Sequence, residues 1–272
     1  MKNIRFTNNI LYKWGLISMA NFKGSIFSDQ LGMRTNITVS LPFDVANKVG
    51  VTTPPEEMPI LYLLHGLSDD NTMWSRYTDI ERFADYRGFI VVMPEVQRSF
   101  YSNMVYGPNY FSYIADELPQ LVKSLFGIER PREKTFVAGL SMGGYGAAKV
   151  ALSRPDRYMA AASFSGVLDV RRAYDLVVND EFYAISKGVI RPEDDLFALA
   201  EKTAQNKNKP SFFITCGKDD ALVRIHEQQD DFKKCLDKYG YKYEYNEWPG
   251  GHEWRLWEKS VEQALDYFLT LN

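Results

Sequence analysis

Short apolar runs recur along the chain, separated by longer stretches with helical spacing. Residues 24–28 and 35–41 alternate apolar and polar side chains, the period of strands with one wetted face. The later runs at 60–64, 89–93, 135–139, 160–164 and 212–215 are apolar almost throughout, and 241–245 alternates Tyr with Lys and Glu. Continuous apolar runs of this length belong to parallel strands covered on both faces. Residues 78–86, 113–125, 144–153 and 260–271 carry apolar side chains at helical spacing, and Pro119 predicts a kink in the second of these. Strand–helix alternation with right-handed crossovers predicts an α/β fold with a mostly parallel eight-stranded sheet and helices on both faces.

Residues 167–210 interrupt this order. They place about forty residues between two core strands, where a plain crossover needs fewer. One reading is a crossover helix with long loops; the favoured one is a small helical cap insertion over the active-site edge, because long excursions at strand carboxyl ends are usually functional. No repeat, low-complexity tract or composition break marks a second domain, so 19–272 reads as a single domain. Met19-Ala20-Asn21-Phe22 resembles an ordinary start, which makes 1–18 an N-terminal extension.

Composition narrows the function classes. A chain of 272 residues that is 45% hydrophobic buries a sizeable core. The net charge is −3 and no Lys/Arg block stands out, so neither nucleic acid nor an anionic membrane is an expected partner. No apolar stretch approaches the ~18 residues of a membrane span, and the N-terminus lacks the continuous apolar run of a signal peptide. The two cysteines, Cys216 and Cys235, show no metal-ligand spacing, and Cys216 lies in an apolar run that suits a buried thiol. A reducing, cytoplasmic setting is expected, with no metal and no cofactor. Aromatic residues in the 167–210 segment leave a homo-oligomer open.

The chemistry concentrates at Gly139-Leu140-Ser141-Met142-Gly143, a G-x-S-x-G match between a strand run and a small-residue helix start. That setting predicts a sharp turn lifting the Ser141 hydroxyl above the sheet at a helix N-terminus, where developing negative charge is favoured. A serine needs a base to take its proton. Only three histidines are available. His252, in a glycine-rich turn after the last strand, is the candidate; His65 is assigned to holding a loop, and His226 lies too near the expected acid.

The acid should follow the serine and precede the histidine along the chain. Asp220, after the 211–216 run, is preferred over Asp219, with Asp169 as a third option. Two backbone N–H donors for the oxyanion are assigned to Met142, after the nucleophile, and Leu67, in the loop opened by Gly66. Trp74, Tyr110 and Trp254 are candidate substrate-binding residues forming a short acyl pocket, although core packing accounts for each of them equally well.

Leu64-His65-Gly66-Leu67, Tyr101-Ser102-Asn103, Tyr110-Phe111-Ser112-Tyr113, Glu117-Leu118-Pro119, residues 139–146 and Gly251-His252-Glu253-Trp254 resemble the esterase D-like branch of the α/β hydrolases, nearest the tributyrin esterase type. The likeness runs from about Met19 onward. It implies an α/β-hydrolase fold and a carboxylesterase that takes a small-molecule ester of short acyl chain. Within the branch, feruloyl and acetyl-xylan esterases, S-formylglutathione hydrolases and mycolyl transferases are the alternatives. The formylglutathione enzymes tend to carry Thr-Cys after the oxyanion glycine, where Ser68-Asp69 stands here. Mycolyl transferases are exported, and no export signal is legible. The non-enzyme alternative, a binding protein on a hydrolase scaffold that has lost catalysis, is disfavoured by the complete Ser/Asp/His set.

Overall fold

The structure, a computed structural model, describes residues 19–42, 55–173 and 179–271; the 1–18 extension lies outside them. Eight strands form one sheet: β1 (Met19–Ser28), β2 (Met33–Pro42), β3 (Ile60–Leu64), β4 (Ile90–Pro94), β5 (Thr135–Leu140), β6 (Ala160–Phe164), β7 (Ser211–Gly217) and β8 (Tyr243–Trp248). The order is β1-β2-β4-β3-β5-β6-β7-β8. β1 pairs antiparallel with β2, β2 antiparallel with β4, and every later pairing is parallel. This is the mostly parallel eight-stranded sheet of the α/β-hydrolase fold.

Side chains alternate across the sheet and divide the core into two layers. Tyr62, Leu64, Val137, Phe212 and Ile214 face one layer; Leu61, Leu63, Phe136, Ala138 and Phe213 face the other. Every residue of β3, β4, β5, β6 and β7 is buried, which is why those runs carry no polar alternation. β1, at the sheet edge, is exposed along most of its length.

The helices are α1 (Met73–Tyr77), α2 (Ile80–Arg87), α3 (Tyr110–Ser112), α4 (Leu118–Phe126), α5 (Met142–Ser153), α6 (Val170–Ala173), α7 (Asn179–Ser186), α8 (Leu196–Thr203), α9 (Ile225–Lys238) and α10 (Trp254–Leu269). Several boundaries differ from the sequence expectation, β1 by starting at Met19 rather than at residue 24. A π-helical turn, Tyr113–Glu117, precedes α4 and leaves Pro119 near its start, where a missing N–H costs little, so the proline breaks no helix. β8 starts two residues late, because its register with β7 runs from Phe212↔Tyr243 to Gly217↔Trp248. Tyr241 instead packs on Phe212 and donates its hydroxyl to the Ala200 carbonyl at 2.7 Å. α10 begins at Trp254, well before residue 260, and so carries the two tryptophans at 254 and 257.

The 167–210 segment divides in two. α8 lies against α5, with Thr203 Oγ1 donating to the Leu152 carbonyl at 2.9 Å, and serves as the crossover helix between β6 and β7. The additional chain is therefore 167–195, of which 174–178 lie outside the described residues. Its helix α7 rests on the excursion that follows β4: the Val105 and Tyr106 N–H groups donate to the carbonyls of Ile185 and Ala184 at 3.0 and 2.9 Å, and Arg98 pairs with Glu181.

Candidate active site

Ser141 stands between β5 and α5 with φ 52° and ψ −117°, a conformation that strains a non-glycine residue by about 1–3 kcal/mol. Four hydrogen bonds hold its backbone there. Its N–H donates to the Phe164 carbonyl at 2.9 Å, and its carbonyl accepts from Gly144, Tyr145 and Val167 at 3.0, 3.2 and 3.3 Å. At about 0.5–1.5 kcal/mol net apiece, these are enough to offset the strain. The turn also needs bare backbone on both sides. A Cβ on Gly139 would stand 2.4 Å from the Gly143 carbonyl oxygen, and one on Gly143 would stand 2.5 Å from that of Leu64. Ser141 is the N-cap of α5, yet its side chain makes no capping hydrogen bond, which leaves the hydroxyl unspent. The residue is 7% exposed.

His252 and Asp220 meet across the ends of β7 and β8. A Cβ on Gly217 would fall 2.3 Å from the Gly250 carbonyl oxygen, so only glycine lets the two loops touch. The loops are laced by Lys218 N–H to the Trp248 carbonyl at 2.8 Å and Asp219 N–H to the Gly250 carbonyl at 3.0 Å. Asp220 is 2% exposed and its Oδ2 lies 2.8 Å from His252 Nδ1. An ionised carboxylate only accepts, so Nδ1 carries the proton and Nε2 presents a lone pair. Burial pushes the Asp220 carboxyl up, but the His252 hydrogen bond and charge, with the Leu222 N–H, outweigh it and hold the group below its ordinary value.

The other candidate acids are occupied elsewhere. Asp219 accepts from Gly250 N–H at 3.4 Å, and Asp169 from the Arg171 backbone and side chain at 3.0 and 2.6 Å. His226 lies 3.5 Å from Glu247 at the surface. Cys216, buried beside Asp220, is no rival nucleophile, since burial above all pushes its thiol up to about 12.

The loop after β3 is rigidly held. His65 is buried, with Nδ1 2.7 Å from the Gly66 carbonyl oxygen and Nε2 accepting from Val96 N–H at 3.1 Å. Both ring nitrogens are thus engaged in loop-holding bonds. The Tyr101 hydroxyl donates to the His65 carbonyl at 2.8 Å, and Trp74 Nε1 to the Leu64 carbonyl at 3.1 Å. Gly66 lies so close to Leu140 that a Cβ would stand 2.6 Å from Leu140 Cδ1. This packing brings Gly66, the residue before Leu67, against Leu140, the residue before Ser141. Met142 is the first residue of α5, and its N–H belongs to the helix start, where intrahelical acceptors are missing. Asp69 accepts from Gly66 N–H at 3.2 Å. Burial above all raises its carboxyl, and the Gly66 N–H and the charge of His65 pull it back only in part.

The three aromatic candidates separate. Trp74 and Trp254 meet edge to face at 5.2 Å, and Trp254 stacks on Tyr77 at 5.1 Å. Trp257 faces the His252 ring edge-on at 4.9 Å. Such pairs contribute about 0.5–1.5 kcal/mol each beyond their area and brace the histidine loop. Tyr110 packs in the opposite core layer, on the far face of the sheet from Trp74. Sequence reading missed Tyr77, for which it held no signal, and Trp257, which the helix spacing from Trp254 would have disclosed.

Two buried carboxylates of this region make stability sensitive to acid. Asp220 and Asp194 both sit below the ordinary carboxyl value despite burial, Asp194 through the charge and hydrogen bond of Lys149 and through Arg191. Below the ordinary aspartate value of about 3.9 the unfolded chain therefore binds more protons than the folded one. Their contribution is present above about pH 4 and is lost as the pH falls through the folded values. Melting temperature is expected to drop steeply below pH 4; a melting temperature unchanged down to pH 2 would contradict this.

A comparison with known families decides the class. The Esterase family model matches residues 28–268. The chain belongs to the esterase family. This esterase is a carboxylic ester hydrolase on the α/β-hydrolase fold. It is 30% identical to the acetyl esterase of Caldicellulosiruptor saccharolyticus over 266 residues, covering 92% of this chain and 98% of that one. Among solved structures it is similar to the Staphylococcus aureus fluorophosphonate-binding serine hydrolase FphF, with 34% identity, a TM-score of 0.82, and 93% and 99% of the two chains covered. It is also similar to the S-formylglutathione hydrolase FrmB from Staphylococcus aureus, with 34% identity, a TM-score of 0.80 and the same coverage. Among the described residues of this esterase, no helix is long and apolar enough to cross a membrane. No group of three or more His, Cys, Asp or Glu there is placed to hold a metal ion.

Proposed function

We propose that this esterase hydrolyses short-chain acyl esters through a Ser141–His252–Asp220 triad, as a tributyrin esterase-type enzyme. The observation that carries the reading is the 2.8 Å bond between His252 Nδ1 and buried Asp220, in a protein that also holds a serine in a strained turn at the end of β5. Ser141 Oγ attacks the ester carbonyl while His252 Nε2 takes its proton. The oxyanion is received by the N–H groups of Leu67 and Met142, each worth about 10²–10³ in kcat. The alcohol leaves with the proton from His252, and water repeats the sequence on the acyl-enzyme. Neither Ser141 Oγ nor His252 Nε2 bonds another described residue, and such contacts tighten when substrate arrives.

Crowding by Trp254, braced from below by buried Trp74 and stacked on Tyr77, limits the acyl chain to about two to six carbons. The acetyl esterase relative supports a small acyl group. The 167–195 stretch, whose helix α7 rests on the excursion after β4, is read as a small cap at the same sheet edge. A second reading, thioester hydrolysis, draws on the likeness to FrmB and is opposed by Ser68-Asp69 in the loop.

A p-nitrophenyl series from acetate to palmitate, with S-formylglutathione in parallel, tests both. We expect kcat/KM to peak at or below hexanoate and the thioester to be the poorer substrate. A peak at long chains would sink the pocket assignment, and a dominant thioester activity would promote the second reading.

A further inference from the structure

We infer that Lys149 is a positioning residue for the oxyanion loop, tying it to the 167–195 excursion through Tyr101 and Asp194. This rests on the reading of Leu67 as an oxyanion donor.

Lys149 is anomalous where it stands. It lies in α5, 1% exposed, among buried Gly146, Ala147, Ala148, Val150 and Ala151. An ammonium there is costly unless every proton finds a partner. All three do: Nζ lies 3.0 Å from the Tyr101 carbonyl oxygen, 2.8 Å from Ser102 Oγ and 2.5 Å from Asp194 Oδ1. Asp194 is equally saturated. It accepts from Ser102 Oγ at 2.9 Å and from Arg191 Nε at 2.6 Å, and its carbonyl accepts from the Tyr145 hydroxyl at 2.6 Å.

The segment that Lys149 grips is itself strained. Gln97, Phe100 and Tyr101 all have left-handed φ, at 54°, 48° and 50°. Such a strap keeps its shape only when its surroundings hold it. Lys149 supplies two of those bonds. The Tyr101 ring lies against α5, where a Cβ on Gly146 would be 2.4 Å from it. Its hydroxyl then holds the His65 carbonyl at 2.8 Å, and the His65 ring is pinned by Gly66 and Val96. The backbone next in line is Leu67. A continuous chain of buried hydrogen bonds thus runs from Asp194 through Lys149, Tyr101 and His65 to the oxyanion loop.

A purely structural lysine would affect stability and leave the folded enzyme's turnover alone. A positioning lysine changes kcat and spares KM, because the donors act on the developing oxyanion rather than the bound ester. The test compares Tyr101→Phe, which keeps the ring packing, with Lys149→Met/Asp194→Asn, which removes both charges together. Each is assayed with p-nitrophenyl butyrate and with a fluorophosphonate, whose phosphoryl oxygen draws on the same donors. We expect kcat to fall roughly tenfold or more with KM within about twofold, and phosphonylation to slow in parallel. Folded variants with kcat within twofold of wild type would overturn the inference; should the double variant not fold, Tyr101→Phe decides alone. Persistent hydrolysis in Ser141→Ala would instead sink the underlying site assignment, so the two failures are separable.

Discussion

Replacing Ser141 by Ala is expected to lower kcat for a short-chain ester by roughly 10⁴–10⁶-fold while the melting temperature holds or rises. The acyl-enzyme forms only on the serine oxygen, so its loss removes the covalent route altogether. What remains is the binding and the oxyanion donors, which support only slow attack by water. The backbone strain at Ser141 persists in the variant, since it comes from φ 52° rather than from the hydroxyl. The hydroxyl makes no capping bond in α5, so its loss withdraws no structural contact. His252→Ala belongs to the same class, because a serine without its base is a poor nucleophile. Near-normal turnover in either variant, measured on purified folded protein, would overturn the assignment.

The second large effect is expected at Asp220. Asp220→Asn retains shape but offers its amide N–H to the imidazole as readily as its oxygen, and the Nδ1–H tautomer loses its preference. A loss of roughly 10⁴-fold in kcat is expected, with KM little changed. Asp219→Asn is the control. Among the described residues Asp219 Oδ2 accepts only from the Gly250 N–H, at 3.4 Å, so its substitution should cost less than about tenfold. Equal losses at the two positions would show that the loop geometry, rather than one carboxylate, is what matters.

Much of this site was legible in the chain because its constraints are local. A nucleophile turn needs glycine at 139 because a Cβ there would meet Gly143 within the same turn, whereas Gly143 answers to the Leu64 carbonyl at the end of β3; a scarcity of histidines left few bases to weigh. The buried strands were legible for a similar reason: a strand covered on both faces has no polar alternation. Element ends were less so. β8 is positioned by pairing with β7, and α10 starts where Trp254 and Trp257 pack beside His252; neither is encoded by local periodicity. Tyr110 and Trp74 read alike as aromatic residues near the motifs, yet the sheet puts them on opposite faces.

The sequence by itself determined the fold class and pointed to a sharp turn at Ser141 and to His252 as the proposed base, since buried strands, turn glycines and a count of three histidines can be read along the chain. Only the tertiary structure decided that Asp220, rather than Asp219, meets His252 at 2.8 Å, because adjacent aspartates in one loop point in different directions. It alone disclosed the buried line from Asp194 through Lys149 and Tyr101 to His65. Those groups lie far apart along the chain, and no periodicity in a sequence records which buried charges meet.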